Sequence, residues 1–339
     1  MSDVLDRDQL VVVAGAGGFI GGHLVSGLLD RGFQRIRAVD RKPIGQWHQR
    51  PPNVEYLQAD LRPADASYGA TEGAAYVFAL AADMGGMGFI EYHKADCMLS
   101  VLVSTHMLLA ARDLDVQRFF YSSSACVYNA DCQSDPKVAP LREEDAYPAL
   151  PEDGYGWEKL FSERMCRHFN DEFGVVTRVA RYHNVYGPLG TWDGGREKAP
   201  AAICRKVAQA KLSGTHEIEI WGDGRQTRSF MYIDDCIEGT MRIMAGDYAD
   251  PLNLGSTQLV TVNELVDIVE TIAGVKLKRT YNLSAPQGVR GRNSDNTRLQ
   301  EEIGWEPAVS LEEGMEATYR WIFDELTSGR RDPSLHAVG

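Results

Sequence analysis

The 339-residue chain carries 44% hydrophobic and 24% charged residues, the balance of a globular enzyme of one large or two smaller units. A net charge of −13 excludes a general nucleic-acid or anionic-membrane binder, which needs a basic face. Six cysteines, at 97, 126, 132, 166, 204 and 236, form no Cys-x-x-Cys pair and have no histidine cluster beside them. No metal site is therefore expected, and free thiols of this kind suit the reducing cytoplasm. No basic–apolar leader opens the sequence, and no apolar run of membrane-spanning length is expected in it.

In chain order, residues 10–14 (Leu-Val-Val-Val-Ala) form a wholly apolar run ending in glycines, which predicts a buried parallel strand. Residues 19–31 follow with helical spacing at Ile20, Leu24 and Leu28, and Gly32 supplies a stop. Further strands are predicted at 36–40, 54–58, 75–80 and 118–122, with a long helix over about 96–113. This alternation predicts an α/β fold, a Rossmann-type doubly wound parallel sheet. Later, a helix is expected over 155–172, a strand over 175–180, and amphipathic helices over 262–273 and 311–326. The glycine-rich polar stretch 187–200 reads as a loop lining a site. The expected division is a dinucleotide-binding domain over 1–180 and a smaller C-terminal α/β substrate-binding domain over 181–330. Some segments of the second return to the first, and 331–339 form a tail.

Gly15-Ala-Gly-Gly18-Phe-Ile-Gly21 lies between the first strand and the first helix, the context that the dinucleotide fingerprint requires. Gly15 permits the tight turn, Gly18 lets backbone approach a pyrophosphate, and Gly21 lets helix and strand pack closely. Phe19 and Ile20, in the first helical turn, belong to the same cofactor-binding set, because free N–H groups there face the phosphates. Asp40 ends the next strand, where a carboxylate binds both ribose hydroxyls and repels a 2′-phosphate. NAD is therefore expected over NADP, although Arg41-Lys42 directly behind could host that phosphate. Asp60 and Leu61 are candidates for the adenine edge.

Tyr155 and Lys159 stand one helical turn apart and share a face. A lysine ammonium beside the phenol, together with a cationic nicotinamide, lowers the tyrosine pKa, so that the phenolate can take a hydroxyl proton as hydride leaves carbon. Ser124 can bond the same oxygen. Cys126 stands where a small hydroxyl residue is expected, and a thiol there points to further proton chemistry beside the oxidised carbon.

Together these residues resemble the extended short-chain dehydrogenase/reductase superfamily, most of whose members act on nucleotide sugars. The match runs through Arg181-Tyr-His-Asn184-Val-Tyr-Gly-Pro188, the 221–235 segment from Trp221 to Asp235, Asn253-Leu-Gly-Ser256 and Gly304-Trp-Glu-Pro307. Four longer motifs are similar to those of one branch, the GDP-mannose 3,5-epimerases: 82–90, 123–128, 194–202 and 288–296. The resemblance implies a C-terminal clamp for a nucleoside diphosphate, a homodimer built by packing the 96–113 and Tyr155 helices against their copies, and Cys126 and Lys198 as an acid/base pair.

The chemistry agrees with that pairing. A ketone at C4 of a hexose acidifies the hydrogens on C3 and C5, and inversion needs one group to remove a proton and another to return one on the opposite face. A thiol and a lysine depressed by burial can both exchange protons near neutrality. Arg228, Arg290 and Arg292 are candidates for the diphosphate, with the choice between the last two open. Asn184 is a candidate for sugar or phosphate, and Gly85 and Gly86 for close backbone approach to the sugar. The competing readings are another nucleotide-sugar 4-epimerase or dehydratase, and a non-catalytic dinucleotide sensor. A dehydratase would place acids at Ala125 and Cys126, and neither is acidic.

Overall fold

The computed structural model describes residues 4–329. Its centre is a seven-stranded sheet. Five of the strands are β1 (Leu10–Ala14), β2 (Arg35–Asp40), β3 (Glu55–Gln58), β4 (Tyr76–Ala79) and β5 (Arg118–Ser124). The helices among them are α1 (Phe19–Asp30), α2 (Ala64–Thr71), α3 (Met87–Tyr92), α4 (Lys94–Met98) and α5 (Ser100–Asp113). Then come α6 (Tyr155–Phe173), β6 (Thr177–Tyr182), β7 (Val185–Tyr186), α7 (Ala199–Ser213), β8 (Glu217–Trp221), β9 (Thr227–Ser229), β10 (Met231–Tyr232) and α8 (Ile233–Ala245). The chain continues through β11 (Leu252–Leu254), β12 (Leu259–Thr261), α9 (Val262–Ala273), β13 (Lys278–Asn282), β14 (Gly291–Arg292), α10 (Thr297–Ile303) and α11 (Leu311–Thr327).

The large sheet runs β11-β6-β5-β4-β1-β2-β3, and every paired neighbour is parallel. All five residues of β1 are buried, as a strand covered on both faces must be. The order reverses beside β1: the chain moves out through β2 and β3, then returns to β4 on the other side. A crevice opens at such a switch point above the strand ends, and the glycine turn sits there. The seventh strand, β11, comes from far along the sequence and closes the edge beside β6.

The remainder forms a smaller unit. Helices α7, α9 and α11 pack around a core that includes Val207, Leu265, Val269, Met315 and Ile322, with two short sheets, β13-β8 and β12-β9-β14, beside it.

Several expectations shift. The helix predicted over 96–113 is broken at Leu99, where the Leu102 N–H bonds the Leu99 carbonyl at 3.1 Å in a tighter i→i+3 turn. The segment 94–113 is, contrary to expectation, long and apolar enough to cross a membrane by composition. It packs on α6 and the sheet instead. The strand expected at 175–180 begins at Thr177, because Gly174 caps α6 in the left-handed region, φ 71°, and the Val175 N–H still bonds Phe169 O. The loop expected to reach residue 200 stops at Lys198, since Pro200 falls in the first turn of α7, where its missing N–H costs nothing. Helices α7 and α8 were not anticipated. The expected tail, 331–339, lies outside the described residues.

Candidate active site

Gly15 leaves β1 with φ 86°, and a Cβ on it would stand 2.8 Å from the Ala81 nitrogen, so backbone of two strands meets there. A Cβ on Gly21 would lie 2.2 Å from Gly15 O, which fixes α1 hard against the turn. Asp40 Oδ2 accepts the Gly17 N–H at 3.0 Å and Oδ1 the Lys42 N–H at 2.9 Å. Burial raises the Asp40 carboxyl above its ordinary pKa, and those two amides oppose the rise. Both cations behind it are engaged: Lys42 Nζ donates to Gly17 O at 2.9 Å, and Arg41 pairs with Asp83 at 2.8 Å. Asp60 is gripped by the Arg62 guanidinium at 2.5–3.0 Å, which holds its carboxyl below the usual range. Leu61 is buried, and Phe19 and Ile20 pack on the core at the head of α1. A turn without side chains, a helix N-terminus and a strand-end carboxylate fit NAD.

Tyr155 opens α6. Gly156 brings this helix against the Cys126 turn: a Cβ there would lie 2.3 Å from Cys126 O. Lys159 is 1% exposed; its Nζ donates to Ser122 O at 3.1 Å and lies 5.5 Å from the centre of the Tyr155 ring. It also lies 3.8 Å from Glu158 Oε2. Glu158 was not anticipated, and its Oε1 accepts hydroxyls from Tyr121, Ser162 and Ser104 at 3.1, 3.1 and 3.3 Å. Burial, then the charges of Cys126 and Glu158, push the Tyr155 phenol well above 10, while a hydrogen bond with Ser124 opposes them. The expected lowering by Lys159 is therefore not met in the chain by itself. Its ammonium is committed to Ser122 O and faced by Glu158.

Cys126 sits in a 3-10 turn at the end of β5, its N–H bonded to Ser124 Oγ at 3.2 Å. Arg292 Nη1 donates to Cys126 Sγ at 3.5 Å, Nη2 to Glu152 Oε2 at 3.3 Å, and Nε to Gln133 Oε1 at 2.6 Å. Arg290, the alternative to Arg292, is half-exposed and paired with Asp223 at 2.9 Å. Both arginines are thus taken.

Arg228 is different. β9 and β14 pair so that Arg228 and Arg292 are direct neighbours. Among the described residues, the Arg228 guanidinium donates only to the carbonyls of Thr227, Val289 and Gln287, at 2.7, 2.6 and 3.4 Å. Burial, with Arg292 beside it, pushes it down to about 9. A buried cation without a carboxylate is a seat for an anion.

Lys198 caps the N-terminus of α7. The residue is half-exposed, but its ammonium is withdrawn from water, which lowers its pKa, and the Cys126 thiol lies within electrostatic reach. The loop that carries it is fastened from outside. Asp83 binds Arg196 at 3.2 Å as well as Arg41, and the Arg196 guanidinium stacks 3.7 Å over the Phe89 ring. The Gly86 N–H, expected to meet sugar, donates to Arg196 O at 3.0 Å, and a Cβ on Gly86 would lie 2.4 Å from Glu197 O. Gly86 thus serves loop-on-loop contact, and Gly85 packs on Phe89. Asn184, at φ 44°, donates its amide to Ser229 O at 2.9 Å. Among the described residues, no group of acids, histidines and cysteines could hold a metal ion.

Glu152, Gln133 and Asp83 escaped the sequence reading. Asp83 lies inside the 82–90 motif but drew no role there, and Glu152 in a loop and Gln133 in a 3-10 turn have no spacing to mark them.

The fold, with its glycine turn and the Tyr155/Lys159 pair, is that of a nicotinamide-dependent enzyme. The model of the NAD dependent epimerase/dehydratase family matches residues 11–255. GDP-mannose 3,5-epimerase 1 of Oryza sativa subsp. japonica is 45% identical over 95% of this chain and 85% of its own. GDP-mannose 3,5-epimerase of Arabidopsis thaliana is 44% identical over 95% and 86%. Among solved structures, UDP-glucose 4-epimerase of Thermotoga maritima, bound to UDP-glucose, superposes with a TM-score of 0.85 at 26% identity, over 94% of this chain and all of that one (100%). MoeE5, solved with UDP-glucose and NAD, gives 0.77 at 28% identity, over 94% and 99%. The chain belongs to the NAD dependent epimerase/dehydratase family and, within it, to the GDP-mannose 3,5-epimerases.

Proposed function

We infer that the chain inverts C3 and C5 of the hexose of GDP-mannose through transient oxidation at C4. Inversion at both carbons gives the L-galactose derivative, and inversion at C5 alone gives the L-gulose derivative. One observation carries this reading: a thiol held on an arginine fork stands beside the Tyr155–Ser124 pair, with a desolvated lysine in electrostatic reach.

The Gly15–Gly21 turn and Asp40 would hold NAD, which would supply the hydride acceptor for C4 and a cationic ring whose charge favours the phenolate. Tyr155, bonded to Ser124, takes the O4 proton and later gives it back. The resulting ketone acidifies C3 and C5. Cys126 and Lys198 remove and return protons there, and Arg228 holds the diphosphate. A plain 4-epimerase needs no such second acid/base pair.

The test is incubation with GDP-mannose in D2O, following deuterium at C3 and C5 by NMR. Deuterium should enter both positions without net NADH. The Cys126→Ser variant should bind substrate yet exchange neither hydrogen, because a hydroxyl stays protonated at neutrality. Wild-type exchange in that variant would make the thiol structural and return the reading to 4-epimerisation.

A homodimer is part of the proposal. Met98, Leu99 and Leu102 on α4–α5, with Trp157 and Phe161 on α6, leave apolar surface 39–50% exposed. A second copy packing its own pair there would build a four-helix bundle. Leu108 on the same helix is fully buried against the sheet and adds nothing to that surface. A monomer by light scattering at micromolar concentration would reject the bundle. The six free thiols suit a reducing cytoplasm, the compartment proposed here.

A further inference from the structure

We propose that Glu152 sets the ionisation of Cys126: by sharing the Arg292 guanidinium with the thiol, its carboxylate keeps the sulfur protonated in the resting chain. Glu152 is then a positioning residue that acts on the thiol directly and through the shared Arg292. The purpose of the tuning rests on the epimerase reading above; the titration itself does not.

The geometry is a fork with two acids on it. Arg292 reaches Sγ with Nη1 at 3.5 Å and Glu152 Oε2 with Nη2 at 3.3 Å, while Gln133 occupies Nε at 2.6 Å. The Glu152 N–H also donates to Cys126 O at 2.9 Å, so the backbone holds carboxylate and thiol on the same side of the arginine. Oε1 of Glu152 is buried and meets no donor among the described residues. Arg292 is therefore the one cation in direct contact with the carboxylate among the described residues, and Arg228 lies within electrostatic reach of it.

A buried carboxylate stays ionised only when a partner compensates it. Arg292 thus already carries one negative charge before the thiol ionises. A thiolate would be a second anion on the same cation, in a site shielded from water. Remove the carboxylate, and the thiolate becomes the natural counter-ion of an otherwise unpaired arginine.

The other groups around Cys126 do not replace Glu152. Tyr155 at the head of α6 is a neutral phenol, and Cys97 on α4 is a second buried thiol in the same cluster. Lys198 at the head of α7 and Arg228 on β9 are cations, and Ser124 Oγ accepts the Cys126 N–H at 3.2 Å. Burial first, then Glu152, push the Cys126 thiol up to about 11, against Arg292 and Ser124.

The experiment reads the ultraviolet absorbance of thiolate against pH, without substrate, as the difference between each protein and its counterpart that also carries Cys126→Ser. Glu152→Gln should lower the midpoint by roughly one unit or more, a tenfold or greater rise in thiolate at about pH 8. Glu152→Ala serves if the glutamine variant does not fold, with the same shift expected. Glu152→Asp, which keeps the charge, should return the midpoint at least halfway to that of the parent. A folded neutral variant that titrates at the parental midpoint overturns the proposal. So does an aspartate variant that falls as far as the glutamine one, since packing and not charge would then be at work. Failure of the epimerase reading is seen separately, in the deuterium experiment.

Discussion

The glycine turn at the switch point and the proposed site of sugar chemistry are built on different principles. The first is made by one contiguous stretch, residues 10–60, and mostly by backbone: a glycine turn, a helix N-terminus and the Asp40 carboxylate at a strand end. The second is made by side chains from five separate segments, at 126, 152–159, 198, 228 and 292, and mostly by charge. The first fails when space is lost. The second fails when a proton or a charge is misplaced while the fold survives.

Tyr155→Phe is the sharpest test of that contrast. It removes one oxygen and no backbone, so turnover should fall roughly 10²–10⁴-fold with substrate binding nearly unchanged. Residual activity above about a tenth of wild type would show that the phenol is not the base. On the crevice side, Gly21→Ala adds one methyl 2.2 Å from Gly15 O. Overpacking of that kind costs about 1–3 kcal/mol, which should appear as a lowered melting temperature and weaker NAD binding by isothermal titration. A neutral outcome would mean that the turn can yield, and the contrast would collapse.

Arg228→Gln tests charge again. Losing a charge-assisted contact should weaken GDP-mannose binding by about 1.5–3 kcal/mol, roughly ten- to a hundredfold, with little change in NAD affinity. The free protein should be no less stable, because the cation it loses is buried without a carboxylate. Lower stability would place Arg228 among the structural residues.

The last test concerns the seam beside the site, where the effect at any one pH step is small. His183 is fully buried, with Nε2 bonded to Asn253 Oδ1 at 2.9 Å, and burial pushes it down to about 3. Its unfolded value is about 6.5, so the unfolded chain binds the extra proton between those two values. Stability from this group is complete above about pH 6.5 and falls by up to about 1.4 kcal/mol per unit as pH drops below it. Urea unfolding at two pH values, compared with His183→Gln, should show that slope reduced in the variant. Equal slopes would assign the acid sensitivity to other groups.

Local signals were legible where one short-range rule decides the structure. β1, α1 and the glycine turn fall where period and punctuation put them, and α9 and α11 follow from their apolar stripes. Lys198 heads a helix that the sequence reading did not assign, because the stretch up to residue 200 is polar and glycine-rich. Gly86 read as a sugar cradle, yet its N–H is spent on Arg196 O across a loop contact that no spacing announces. Arg290 and Arg292 look alike in the sequence and differ only in their neighbours: Asp223 for one, and Glu152, Gln133 and Cys126 for the other.

By itself the sequence determined the doubly wound sheet, the cofactor turn with its Asp40, the Tyr155/Ser124/Lys159 set and the presence of a thiol where a hydroxyl belongs. Each rests on interactions between residues close in the chain, or on a long motif read whole. Only the tertiary structure decided which charges are spent and which are free. Arg228 is left without a carboxylate, Lys159 is faced by Glu158, and Arg292 is divided between Cys126 and Glu152. Coulomb energy and desolvation depend on distance and burial in space, and chain position encodes neither.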